Sequence, residues 1–243
     1  MRWVRADMVL RQVLVDLSTQ HDFLDANGAV PVCNRQTLLP YLRQLMTFAR
    51  TARIPIISSM DAHREHDLFD GMARHCVDGT VGQNKLAFTL LSPRILIEAN
   101  NCYDLPYNIM SRYRQVLFRK RDRDFFGNPK ADRLLTELEP GEYVIFGVGL
   151  EQGVKAAALG LLARHKKVAV IADACGYWSE AEADLSIRQM HAKGIRITTL
   201  EQFMATTPLP RRIARRARPA DPSGPREPVQ RTAKVVRRKT LAN

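Results

Sequence analysis

Apolar and polar positions along the chain follow two periods. Short β-branched and leucine-rich runs at Gln12–Leu17 (QVLVDL), Ile54–Ser58, Arg94–Ala99, Val116–Arg119, Val144–Phe146, Val168–Ile171 and Gly194–Thr199 predict buried strands. Between Arg35 and Arg53 the apolar residues Leu38, Leu39, Leu42, Leu45, Met46, Phe48 and Ala49 recur at helical spacing, with arginines on the other face. Ala131–Leu138, Val154–Arg164, Glu180–Lys193 and Leu200–Ala205 read as further helices. Strand and helix alternate, which predicts βαβ units and a parallel sheet. The clearest unit spans 143–176: a strand, the glycine-bounded turn Gly149–Gly153 (GLEQG), an alanine- and leucine-rich helix, and a second strand ending in Asp173. The turn after the first strand lies at the carboxyl edge of such a sheet, where ligands collect.

Residues 59–86 break the pattern, being weakly periodic and dense in His, Asp and Gly. Loops this long inside compact domains are usually functional or disordered, and the composition argues for function. Asp61 and His63 stand two apart just after a strand and His75 follows twelve residues on. A carboxylate with two imidazoles is a common ligand set for zinc or another divalent metal; solvated loop residues or helix caps are the alternative. Glu65 and His66 read as surface neighbours. Asp16, Ser18, Gln20 and Asp22 lie where the first strand empties into the same edge, Asp16 and Ser18 sharing a face because strand side chains alternate. Asp22 reads as a loop cap. Lys120 closes a strand, where it could steady an anion, although Arg119, Arg121 and Arg123 make an ordinary basic rim an equal reading. Glu151 could act as a base or simply as a carboxylate at a helix amino terminus.

With 243 residues, 45% of them hydrophobic, the chain can bury a substantial core, and one α/β domain (1–207) plus a tail (208–243) is the economical organisation. No apolar run approaches the roughly 20 residues of a membrane span, and the amino terminus does not look like a secretory signal. Cys33, Cys76, Cys102 and Cys175 are widely spaced without a CxxC pair, which suits a reduced, cytoplasmic protein. The net charge of +12 sits mostly in residues 209–243, where eleven lysines and arginines face Asp221 and Glu227. Six of the 13 prolines fall between Pro208 and Pro228, which argues for a flexible tail with at most a short helix at Arg211–Arg218. Such a segment suits phosphate-backbone contacts with nucleic acid or an acidic partner; a solubilising tail is the alternative. It carries no aromatic residue to stack on bases.

Taken in order, these pieces resemble the isochorismatase-like cysteine hydrolase superfamily, which includes the nicotinamidases. The resemblance rests on QHDF (20–23), DAH (61–63), HCVDGT (75–80), Lys120 ahead of FGNP (126–129), and the closing βαβ unit, and covers about residues 10–200. It implies a three-layer αβα sandwich with a mostly parallel sheet, often in homo-oligomers. It also implies a small carbonyl or amide ligand, a pocket involving Asp16, Gln20, Phe23, Leu150 and Glu151, and zinc, manganese or iron on Asp61, His63 and His75. The family's chemistry uses a cysteine that attacks a carbonyl, an aspartate two residues before the glutamine that takes the thiol proton, and a lysine that orients them. Only Lys120 is retained; Ser18 stands at the aspartate's place and Gly153 at the cysteine's. Glycine forms no adduct and a serine hydroxyl is no base near neutral pH. Cys175, past the next strand, and Cys76, in the metal loop, do not fill the gap. Three expectations follow: a pseudoenzyme acting by binding or assembly; a metal-assisted hydrolase on Asp61, His63 and His75, with Glu151 or Asp16 as base and Lys120 on the developing anion; and contact with nucleic acid or an anionic partner through the tail.

Overall fold

The computed structural model describes Val4 and residues 9–67, 69, 71–100 and 102–209; the tail from residue 210 and the expected helix at 211–218 lie outside them. Seven strands form one sheet in the order β3-β4-β2-β1-β5-β6-β7, and every pairing is parallel. They are β1 (Gln12–Leu17), β2 (Ile56–Asp61), β3 (Arg94–Ile97), β4 (Gln115–Lys120), β5 (Glu142–Val148), β6 (Val168–Gly176) and β7 (Arg196–Thr198). The helices are α1 (His21–Leu24), α2 (Arg35–Ala52), α3 (Ile109–Arg112), α4 (Pro129–Glu137), α5 (Lys155–Ala163), α6 (Glu180–Ala192) and α7 (Leu200–Thr206).

Alternate strand residues feed two separate cores, which is the three-layer arrangement. Val13, Val15, Tyr143, Ile145, Val168 and Val170 pack with residues of α3, α4, α5 and α6. Leu14, Val144, Phe146, Ala169 and Ile171 pack with α2 and α7. None of the helices is long and apolar enough among the described residues to cross a membrane.

Two boundaries differ from the sequence expectation in ways that shape the site. β2 starts at Ile56 and not Ile54, because Arg53 ends α2 in the left-handed region (φ 56°) and Pro55 offers no N–H to the sheet ladder. It continues to Asp61, so that this carboxylate ends a strand. The helix expected at Val154–Arg164 begins at Lys155, preceded by a wider turn at Leu150–Val154.

The sheet interior carries a charged pair. Lys85 Nζ lies 3.0 Å from Asp16 Oδ2, both side chains being almost wholly buried. Asp16 also accepts from Thr19 Oγ1 (2.9 Å) and Ser58 Oγ (3.0 Å), while Lys85 donates to the Ser59 carbonyl (3.1 Å). These bonds fasten the 59–86 segment onto β1 and β2. Burial lowers the lysine's pKa and Asp16 opposes that shift. Lys85→Ala leaves a buried carboxylate without its cation and is expected to lower unfolding free energy by about 3–5 kcal/mol. The apolar pair Asp16→Leu/Lys85→Met costs less in the same denaturant titration, since no charge is then stranded.

Candidate functional site

The site grows from the carboxyl ends of β1, β2 and β4. Parallel pairing sets Asp61 opposite Lys120, and the two side chains meet with Nζ 2.7 Å from Oδ1. Ser18, just past β1, adopts a left-handed backbone (φ 49°) and donates its hydroxyl to the same Oδ1 at 2.6 Å. Ser59 Oγ steadies Ser18, accepting from its N–H at 3.2 Å and lying 3.3 Å from its Oγ. Gln20 fixes the Asp61 backbone from both sides, donating to its carbonyl (2.9 Å) and accepting from its N–H (2.8 Å). Burial by itself would raise the Asp61 pKa, but the Lys120 ammonium and the hydrogen bonds from Lys120 and Ser18 overcome it, and the carboxyl is held below its ordinary range.

His63 and His75 are brought to Asp61 by the returning loop. His63 donates its N–H to the Cys76 carbonyl (3.0 Å) and its carbonyl accepts from Asp78 N–H (2.8 Å), forming a short bridge to Val77. Cys76 takes a left-handed turn (φ 48°) and its N–H is held by Asp22 Oδ2 at 2.6 Å. Asp22 thus serves as the loop cap expected of it, here across 54 residues. A side chain on Gly82 would run into that carboxylate. The imidazole centroids lie 4.9 Å apart, and Asp61, His63 and His75 each offer a ligand atom within 4.8 Å of the others.

The donor set fits a divalent metal. His63 Nδ1 is buried without a hydrogen-bond partner, Asp67 being 3.9 Å away, and burial beside His75 holds the ring's pKa below 6.5 despite Asp61, favouring the neutral imidazole that a ligand must be. His75 Nδ1 faces the Ala73 carbonyl at 2.7 Å, an orienting contact that leaves Nε2 for an ion. Asp61 uses Oδ1 for Ser18 and Lys120, and Oδ2 remains. Glu65 and His66 are exposed, as expected.

Beside this cluster two adjoining cavities share Phe23, Asp61, Arg123, Gln152 and Trp178. The outer one, about 130 Å³, reaches His63, Phe69, Met72, His75 and Arg121. The inner one, about 30 Å³, is closed by Ser18, Lys120, Val148, Gly149 and Gly153. A Cβ on Gly149 would strike the Trp178 ring, whereas one on Gly153 would meet only the Arg123 carbonyl at 3.7 Å and the Val148 carbonyl at 3.8 Å. Position 153 therefore has room for a side chain.

The sequence-derived pocket residues separate. Ser18, Phe23, Asp61, His63, His75, Lys120 and Gly153 converge on the cavities. Gln20 acts behind them, on the Asp61 backbone. Asp16 is committed to Lys85, and Leu150 is buried in the core, so neither lines the cavities. Glu151 fastens the chain entering α6 and not its own helix, accepting from the N–H groups of Trp178 (2.7 Å) and Ser179 (3.1 Å), while Ser179 itself caps α6. Cys76 and Cys175 are buried, their thiol pKa values pushed far up by desolvation. Sequence reasoning missed Ser59, Arg123, Gln152 and Trp178 as site residues. Gln152 lies in the turn at the carboxyl edge and Trp178 follows β6 there, so their position was the available signal.

The isochorismatase domain model matches residues 12–202, and the chain belongs to that family. No curated protein sequence matches it. Among solved structures it is similar to the pyrazinamidase of Pyrococcus horikoshii in complex with zinc, at 22% identity over 78% of this chain and 99% of that one, with a TM-score of 0.61. An isochorismatase-like hydrolase from Alkaliphilus metalliredigens matches at 19% identity over 80% and 98%, with a TM-score of 0.64. PnC1 from L. infantum in complex with nicotinate matches at 16% identity over 82% and 97%, again with a TM-score of 0.64.

The lowered His63 pKa carries a sign. The unfolded chain protonates this ring near 6.5 while the folded one resists, so its contribution to stability is present above that value and is lost as the pH falls through the folded pKa. In chelator-treated protein, unfolding free energy is expected to drop between about pH 7 and 5. His63→Asn flattens that slope in parallel denaturant titrations; an unchanged slope would refute the assignment.

Proposed function

We propose that this isochorismatase-family chain binds a small carbonyl or amide ligand in the cavity at the carboxyl edge and does not hydrolyse it through a cysteine. The observation that carries this reading is Gly153, which lines the inner cavity with no side chain to attack a carbonyl. The place of the proton acceptor supports it too, since Ser18 spends its hydroxyl proton on Asp61 and offers no carboxylate. Neither Cys76 nor Cys175 reaches the cavities to substitute. What remains is a small, partly aromatic cleft at the carboxyl edge, bounded by Phe23, Phe69 and Trp178. A cytoplasmic homo-oligomer is the setting we assign to it. The eleven cations of residues 209–243 would add phosphate contacts with nucleic acid or another polyanion; deleting 208–243 is then expected to remove salt-dependent nucleic-acid binding.

A second reading is favoured by the orphaned His63 Nδ1 and the tight Asp61, His63 and His75 cluster. Zinc, manganese or iron held by these three residues would supply Lewis acidity to a bound water or ligand oxygen. The chain's own contribution would be to hold His75 by the Ala73 carbonyl, keep His63 neutral, and place Lys120 beside the ligand.

Incubating pure protein with nicotinamide and related amides, with mass spectrometry of the products, separates the two readings. No turnover is expected with or without added metal. Steady, chelator-sensitive hydrolysis would replace the binding reading with the metal-assisted one. The double variant Gly153→Cys/Ser18→Asp is expected to gain amide hydrolysis that iodoacetamide abolishes, because position 153 has room and an aspartate tolerates the left-handed backbone at 18.

A further inference from the structure

The amino edge of the sheet, at the end away from the cavities, carries positive charge without counter-charge. β2, β4 and β3 start side by side there, Ile56 and Arg94 each standing opposite Gln115. The stretches that lead into these strands, 26–60, 79–97 and 105–121, contain no aspartate or glutamate. Arg43, Arg50, Arg53, Arg94 and Arg112 are exposed and Arg114 is half-buried. None of the six has an ion-pair partner among the described residues, whereas Arg119 and Arg121 at the far end of β4 each have one. Contacts chain the six together. The Arg114 N–H donates to the Pro93 carbonyl (2.7 Å), next to Arg94, and its Nη2 donates to the Ala49 and Arg50 carbonyls (3.4 Å each). Arg50 Nη2 donates to the carbonyls of Phe88 (2.5 Å) and Leu90 (3.3 Å), and the Arg43 guanidinium lies 4.3 Å from the Phe88 ring centroid. Arg112 lies 5.6 Å from the Tyr113 ring centroid. Burial, with Arg53 adding repulsion, lowers the Arg114 pKa. Arg50 and Arg114 thus close the end of α2 and hold the turn at 88–90, while the Arg43, Arg53 and Arg112 side chains donate to no acceptor among the described residues.

We propose that this row of arginines is a docking surface for the phosphate backbone of a single-stranded nucleic acid, held without regard to base sequence. Like charges in a row repel, and no carboxylate of the fold offsets them here, so an outside polyanion is the natural counter-charge. The row is linear. Arg43, Arg50 and Arg53 follow α2 over about 15 Å, and the starts of β2, β4 and β3 extend it by about 10 Å more. A line of cations suits a chain of phosphates, where a lipid surface would take cations spread over a disc. All six residues are arginine, whose planar fork pairs phosphate oxygens two at a time. Tyr41, exposed on α2, and the half-buried Phe88 and Tyr113 place aromatic rings among the guanidinium groups, the combination that binds single strands by stacking and charge together. This surface belongs to the folded domain, is separate from the cations of residues 209–243, and does not depend on what the cavities bind.

Fluorescence anisotropy of labelled polyuridylate with the full chain, repeated over a range of salt concentrations, tests this. The triple variant Arg43→Gln/Arg53→Gln/Arg94→Gln is expected to weaken binding at least about tenfold and to make the slope of log affinity against log salt shallower by about 2, at about 0.7 per phosphate contact. The same three positions changed to lysine are expected to keep most of that slope, and Arg188→Gln/Lys193→Gln, on the exposed side of α6, to leave it in place. A glutamine variant that binds with the wild-type slope would overturn the surface and leave the tail as the whole source of binding. An equal loss in the lysine variant, or in the α6 variant, would overturn it as well, since the effect would then come from the fold or from net charge. So would absence of polyuridylate binding by the full chain, or binding only to phosphatidylserine vesicles. The tail is scored separately by deleting 208–243, so that either source of binding can fail without the other.

Discussion

The register of β2 against β4 is the constraint on which the site depends. In a parallel pair, residues opposite one another project on the same side, and here the last opposed pair is Asp61 and Lys120 at the edge where both strands stop. That placement delivers a carboxylate and an ammonium to 2.7 Å without either side chain having to search for the other. It also sets their surroundings. Ser18, arriving from β1, meets Asp61 Oδ1, and Gln20 ties the Asp61 backbone into the loop that returns with His75. A slip of β2 by one residue would send Asp61 to the face opposite Lys120 and dismantle the arrangement.

The loop from 59 to 86 keeps its shape through polar bonds more than through apolar packing. Asp22 holds the Cys76 N–H, Gln20 holds Asp61 and the Gln83 carbonyl, and Lys85 reaches into the sheet to Asp16. Each anchor involves β1 or the segment that follows it, through Gln20 and α1. The first strand therefore does two jobs: its alternating valines and leucines build the cores, and its polar end fastens the loop that carries the imidazoles. A buried ion pair contributes little net stability when its desolvation is counted, yet removing one member is costly. That asymmetry suits a register pin, and Asp16 with Lys85 is placed as one.

The fold was legible because its signals are local. Short β-branched runs of three to six residues and the 3.6-residue period of Leu38 to Ala49 are read within single segments, and the alternation of the two points to a parallel sheet. Asp61, His63 and His75 were legible as a possible cluster because two of them lie two residues apart. Their convergence was not, since it depends on the Val77 bridge and on Asp22, which lies 54 residues from its partner. Glu151 took two readings, base and helix-end carboxylate, and the bonds it makes are of the second kind but at a different helix. Its position in the key turn suggested chemistry, while the chain leaving β6 placed the α6 amino terminus against it, and a carboxylate satisfies free N–H groups wherever they come from. Asp16 misled for a related reason: strand alternation says which side a residue faces, not what lysine waits there.

The two glycines of the turn make the remaining point. Gly149 is required by packing, because any side chain there would occupy the space of the Trp178 ring. Gly153 is not, since its backbone is unstrained and the nearest atoms to an added Cβ are at ordinary contact distance. A glycine entering a helix costs about 1 kcal/mol relative to alanine, so folding alone favours a side chain at 153. Stability thus accounts for one glycine and opposes the other. Gly153 is thus set neither by packing nor by backbone strain, and it stands on the wall of the inner cavity, where an added side chain would project into open space.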